Sequence, residues 1–184
     1  MAHRPAAFFL EAVLLCLALV ALVEPWRRPT QPRGVASRPA RGLVPHLEID
    51  RSRAQSVVRL DSGAQVDRGD VVQVSYVAAG NHFGVVVSLD GRGGVTLHHP
   101  GAVHEVPRVH ARGETPLPNA FELDDAPGFE RFFFVTGARV SLDPASVLEA
   151  AHALAADGLV AARDEPLPLP AELGQSSFLL RKAR

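Results

Sequence analysis

Cysteine is almost missing from this chain. The single thiol, Cys16, excludes an internal disulfide and a multi-cysteine zinc site, and it sits in an apolar stretch where a buried thiol is the ordinary outcome. Lysine is equally rare, with Lys182 its one example, while arginine, alanine, glycine, proline and valine abound. That bias carries the stamp of a GC-rich genome rather than of a function. Catalytic signatures are missing too. Ser141, Ser146, Ser176 and Ser177 lie in no Gly-x-Ser-x-Gly elbow, and no Ser-His-Asp or Cys-His arrangement emerges. The chain is therefore read as non-enzymatic, with no catalytic residue and no cofactor assigned.

Charge is balanced overall at −1 but unevenly spread. Up to Gly42 six arginines face only Glu11 and Glu24; from Leu43 onward thirteen basic residues face eighteen acidic ones. An acidic main domain repels phosphate backbones, so no nucleic-acid partner is expected.

Residues 6–23 are apolar at every position except Glu11. As a helix they reach about 27 Å, close to the roughly 30 Å hydrocarbon core of a bilayer. Trp26 and the arginines after it suit a membrane boundary, and Pro25 stops a helix. Residues 1–24 are accordingly read as a membrane anchor. The competing reading is a cleaved signal peptide, for which Ala21-Leu-Val23 is a poor cleavage site. Residues 25–42, with four prolines and five arginines, form an extended linker that buries no core.

From residue 43 to 184 short apolar or alternating runs alternate with turn signals. The runs are 43–49, 56–60, 71–78, 83–89, 95–99, 120–123, 129–136 and 177–182. Gly69-Asp70, Gly80-Asn81 and Asp90-Gly91 punctuate them. One helix interrupts, with Asp143 as cap, Pro144 at its first position, and Val147, Leu148, Ala151 and Leu154 on one side before Gly158. The predicted fold is mainly β: an antiparallel β-sandwich or half-barrel with one late α-helix, preceded by a single N-terminal transmembrane helix.

Candidate sites are few. His98, His99, His104 and His110 cluster in sequence, but neighbouring residues of a strand face opposite ways, so His98 and His99 are not expected to share a metal, and none is assigned. Asp90-Gly91-Arg92-Gly93-Gly94 lacks the Lys-Ser/Thr of a P-loop and has one carboxylate, too few for calcium; it reads as a hairpin turn. Glu122, Asp124, Asp125 and Glu130 form an acidic run beside Pro127-Gly128, a solvated loop whose leading functional reading is a protein-contact patch. Phe132-Phe133-Phe134 puts aromatics on both faces of its strand, one face toward the core and the other under the helix or a partner.

Several segments belong together as a set: Arg41-Gly-Leu-Val-Pro-His-Leu-Glu-Ile-Asp50, Asp67-Arg-Gly-Asp-Val-Val-Gln-Val-Ser-Tyr76, the hairpin from Phe83 through Pro100, the run Phe121–Thr136, Pro166-Leu-Pro-Leu-Pro170, and Gln175-Ser-Ser-Phe-Leu-Leu-Arg-Lys182. Over about residues 41–183 the set resembles the carboxyl-terminal region of the ActD-like proteins of myxobacteria, which are similar in layout to membrane-bound anti-sigma factors. More loosely it is similar to a bacterial β-sandwich domain of unknown function. The resemblance implies a cytoplasmic helical part, one span of the inner (cytoplasmic) membrane, and a β domain outside the cytoplasm. The arginines after residue 23, under the positive-inside rule, argue for the opposite orientation; the family layout is given more weight. The few residues before Ala6 leave no space for the helical part, so the expectation is a stand-alone anchored β domain or a start upstream of Met1. No site residues carry over. The functional expectation is the extracytoplasmic part of a regulatory or signalling system, working by contact with a protein partner through a sheet edge or the acidic loop. The alternative is an envelope structural or adhesion protein.

Overall fold

Alternating apolar side chains decide the architecture. In the computed structural model, which describes residues 44–53, 56–139 and 141–182, those alternations become ten strands and two helices. In chain order they are β1 (His46–Arg53), β2 (Ser56–Arg59), β3 (Ala64–Val66), β4 (Val71–Val77), β5 (Gly84–Asp90), β6 (Val95–His99), β7 (Glu114–Pro116), β8 (Phe121–Glu122), β9 (Phe129–Thr136), α1 (Pro144–Ala156), α2 (Leu159–Asp164) and β10 (Gly174–Lys182). The apolar segment 6–23 and the linker 25–42 lie outside the described residues. Among the described residues no helix is long and apolar enough to cross a membrane.

The strands form two five-stranded sheets. One runs β2-β1-β4-β7 with β8 also on β4; the other runs β3-β10-β9-β5-β6. Every pairing is antiparallel except β3 with β10. Leu47, Ile49, Val72, Val74 and Tyr76 of the first sheet meet Val86, Phe132, Phe134, Phe178 and Leu180 of the second in one buried cluster. The back of the second sheet is covered as well: Val85, Val87, Leu89, Phe133 and Val135 pack with Val147, Ala151 and Leu154 of α1 and with Ala162 and Leu167. The layers are thus sheet, sheet, helices, with two cores sharing β9.

Phe132 and Phe134 lie between the sheets and Phe133 lies beneath the helices, as the pleat of a strand buried on both faces requires. Each such ring contributes roughly 2–3 kcal/mol relative to exposure. Arg131 shares the helix side. Its guanidinium lies 4.5 Å from the Phe133 centroid and donates to the carbonyls of Ala162 (3.2 Å) and Glu165 (2.6 Å), tying down the end of α2. The α1 start is as the sequence implies: the Asp143 carboxylate accepts from the N–H groups of Ala145 and Ser146, and Pro144 needs no donor there.

Three elements were not anticipated: β3, β7 and α2. The first two are three residues long and exist through pairing, and α2 has six residues, too few to show a helical period. Strand β1 begins at His46 rather than residue 43 and continues through Asp50-Arg-Ser-Arg53. That polar tail is held by β4 and β2, while Arg51 and Arg53 reach the buried Asp70.

Candidate functional site

Pairing with β4 and β9 fixes the acidic run at one end of the sandwich. Glu122 ends β8, which pairs with Val71 and Val72; Asp124 and Asp125 follow in the turn; Glu130 lies on the inward face of β9. The run is largely neutralised from within. Lys182, whose side chain is only 3% exposed, places Nζ 2.6 Å from Asp124 Oδ1 and 3.0 Å from Glu130 Oε2. Arg92 donates to the Asp125 carboxylate at 2.9 Å and to its carbonyl at 3.2 Å. The bond from Lys182, helped by the N–H of Ala126, holds the Asp124 carboxyl below its usual range, and Arg92 does the same for Asp125. Burial depresses the Lys182 ammonium, but the hydrogen bonds and charges of Asp124 and Glu130 outweigh it and raise it on balance. Only Glu122 lacks an ion-pair partner among the described residues. Three of the four carboxylates therefore serve the fold.

Lys182 itself escaped sequence reasoning, which read its rarity as composition. Its signal is phase: it continues the inward series Phe178, Leu180 on β10, so its side chain is obliged to enter the sandwich. Lys182→Met is expected to cost on the order of 2 kcal/mol, less than a fully buried pair because Asp124 is half exposed. Lys182→Arg is expected to recover only part of that, since a planar fork does not replace a compact ammonium. Urea unfolding of the three proteins checks both; equal midpoints would refute the role.

Behind these carboxylates opens a cleft of about 210 Å³, floored by Phe132, Ser88 and His98 and rimmed by Asp90, Glu122, Asp124 and Glu130. His98 Nε2 is 2.9 Å from Ser88 Oγ, and its ring meets Phe121 edge-on at 4.4 Å. Burial pushes the imidazole down to about 4, so it is neutral at physiological pH. Ser88 is 1% exposed, and among the described residues no carboxylate orients His98. The pair satisfies two polar groups at the end of a core, which is what buried polar groups require.

The histidines also correct an expectation. His98 and His99 do not face opposite ways. The register slips between Val86 and Val87, so that Leu97 faces Val87 and His99 faces Val86, and a β-bulge turns both rings between the sheets. His98 bonds Ser88; the His99 ring lies 6.2 Å from Tyr76, and its Nε2 takes the carbonyl of Arg108 at 2.9 Å. The two rings hold separate partners, and among the described residues no group of three or more ligating side chains is suited to a metal ion. The Asp90–Gly94 loop is a hairpin turn: Asp90 Oδ1 accepts from the N–H groups of Arg92 (2.7 Å) and Gly94 (2.8 Å).

What the domain presents outward is an edge. Sheet ends are usually guarded. Strand β7 carries Pro116, β6 is bulged and followed by Pro100, and β3 is three residues flanked by Arg51 on the Gln65 carbonyl. Strand β2 has neither proline nor bulge, and all four of its residues are exposed, Val57 at 70% and Val58 at 47%. Among the described residues it pairs with β1 alone, on one side. Its one charge, Arg59, is turned onto Asp50 (2.7 Å), Glu48 (2.7 Å) and Glu114 (2.7 Å) across the outer sheet face. No protein-family model, curated protein or solved structure matches the chain.

Proposed function

We propose that this chain is a non-enzymatic, single-pass membrane-anchored β domain that works by protein–protein contact, as the extracytoplasmic limb of a regulatory system of the ActD-like, anti-sigma-factor-like kind. The observation that carries the contact reading is the open β2 edge with its two exposed valines. An incoming strand there gains main-chain hydrogen bonds and apolar cover together. The acidic run is the weaker contact surface, because Lys182 and Arg92 already answer three of its charges. The anchor rests on the apolar residues 6–23 and the interfacial residues after them.

Two measurements test this. A photo-reactive residue at position 57 in living cells is expected to yield a discrete protein adduct; adducts at Val160, exposed on α2, in place of position 57 would move the contact elsewhere. An epitope placed after Arg184 is expected to be removed by protease from intact spheroplasts while the protein pellets with membranes. A protected epitope would put the domain in the cytoplasm, and a soluble periplasmic product would replace the anchor with a cleaved signal.

A further inference from the structure

The charge behind the β2 edge narrows what fits it. Leu60 donates its N–H to the Ile49 carbonyl, and the register continues through Asp50↔Arg59, Arg51↔Val58, Ser52↔Val57 and Arg53↔Ser56. In an antiparallel ladder, pairs that exchange hydrogen bonds alternate with pairs that do not. With Ile49↔Leu60 bonded, Val58 and Ser56 spend their backbone groups on β1. Val57 and Arg59 turn theirs to the side on which no strand pairs among the described residues. That phase admits any strand, so selection falls to the side chains.

Val57 and Arg59 stand on the outer face of the sheet with Glu48 and Asp50 of β1. There one guanidinium serves three carboxylates: Arg59 lies 2.7 Å from each of Glu48, Asp50 and Glu114. Glu48 also meets the His46 ring at 3.2 Å. All three carboxylates are partly exposed, and the cluster stays net negative. The hairpin end of the edge does not offset it, since Arg51 and Arg53 are matched by Asp67 and Asp70. The other face is apolar, with the half-exposed Val58 on the side of the sheet that carries Leu47 and Ile49.

We infer that the β2 edge takes an extended strand of a protein partner in which basic residues alternate with apolar ones. The inference rests on the edge-contact reading above and names the chemistry of the partner. Side chains of an added strand fall alternately on the two faces of the sheet. On the outer face, a lysine or arginine beside Val57 lays its aliphatic stem over that valine and turns its charge toward Asp50 and Glu48. Strand β1 is two strand spacings, roughly 10 Å, from the added backbone, so these charges act within about one screening length at 0.1 M salt. On the inner face, the alternate residues extend the apolar row past Val58. An acidic strand finds the same hydrogen bonds but is repelled, so the edge selects by sign of charge.

Peptide binding to the full-length chain in zwitterionic detergent tests this, at about pH 8 where imidazoles are neutral. The probes are capped fluorescent peptides of alternating valine and lysine, or of alternating valine and glutamate, followed by anisotropy. Val57→Pro removes an outward donor and leaves the bonds to β1 in place, so the binding it abolishes belongs to the edge. At about 50 mM salt the lysine peptide is expected to bind there at least about tenfold more tightly than the glutamate peptide. Glu48→Gln with Asp50→Asn is expected to lower the lysine peptide's affinity at least about fivefold. Glu114→Gln alone, outside the β1–β2 pairing, is expected to lower it about twofold and serves if the double variant does not fold. Edge binding that is equal for both peptides, or unchanged by these variants, overturns the basic partner and leaves the edge contact standing. Lysine-peptide binding that survives Val57→Pro in full, or no binding at all, overturns the assignment of a basic strand to this edge. A missing photo-adduct at position 57 then removes the edge contact with it.

Discussion

Acidification from about pH 7 to about pH 4.5 is expected to remove roughly 2–3 kcal/mol of stability through His98 alone. Its imidazole titrates near 6.5 in the unfolded chain and at about 4 when buried between Phe121 and Phe132. The folded state thus resists a proton that the unfolded state accepts, and stability falls as pH drops below 6.5, levelling near 4. His99, lowered by burial against the opposing pull of the Arg108 carbonyl and Glu105, adds in the same direction. The carboxylates held low by Lys182 and Arg92 lose their contribution further down, below their ordinary values, so the window above pH 4.5 belongs to the histidines. Denaturant midpoints across this range, for the native chain and for His98→Asn, decide the matter. Asparagine keeps a polar partner for Ser88 without the titration, and its pH slope is expected to flatten; parallel slopes would remove His98 as the cause.

Gly91→Ala is expected to cost about 3 kcal/mol or more, enough to threaten folding. A methyl group at Gly91 would stand 1.6 Å from the carbonyl oxygen of Pro127 and 2.8 Å from its carbon, and both are backbone atoms that cannot swing aside. The contact is built in: the Gly91 N–H donates to the Phe129 carbonyl at 3.0 Å, drawing the β5–β6 turn onto the start of β9. The comparison is Gly93→Ala in the same turn. Gly93 has φ +83° but no close backbone neighbour, so its substitution costs left-handed strain alone, about 1–2 kcal/mol. Thermal melts of the two variants are expected to rank Gly91→Ala far below Gly93→Ala, and the reverse order would contradict the packing of this turn.

These two sites mark what could be read from the sequence. The turn at Asp90-Gly91 was legible because its residues are local and chemically distinctive; its contact with Pro127 was not, because 36 residues separate the partners. The alternation in 71–77 and 84–90 and the cap at Asp143-Pro144 likewise announce themselves. The double burial of Phe132-Phe133-Phe134 followed from the period of a strand, and the helix covers Phe133. The bulge that turns His98 and His99 to one side leaves no mark in a single sequence, since it is a slip between two strands. The acidic run was visible as composition, but its counter-ions Lys182 and Arg92 arrive from 58 and 33 positions away. The open side of β2, which among the described residues pairs with β1 alone, is a property of pairing and not of residue type.

Strand β9, one wall of two cores, makes the domain a single thermodynamic unit. A sandwich with separate hydrophobic layers could lose its helices and keep its sheets. Here Phe133 and its neighbours Phe132 and Phe134 belong to one rigid peptide, so loosening α1 shifts the strand that also anchors the far sheet. Amide exchange is expected to be slowest along residues 129–136 and to proceed there only by global unfolding, whereas β2, paired among the described residues with β1 alone, is expected to fray independently.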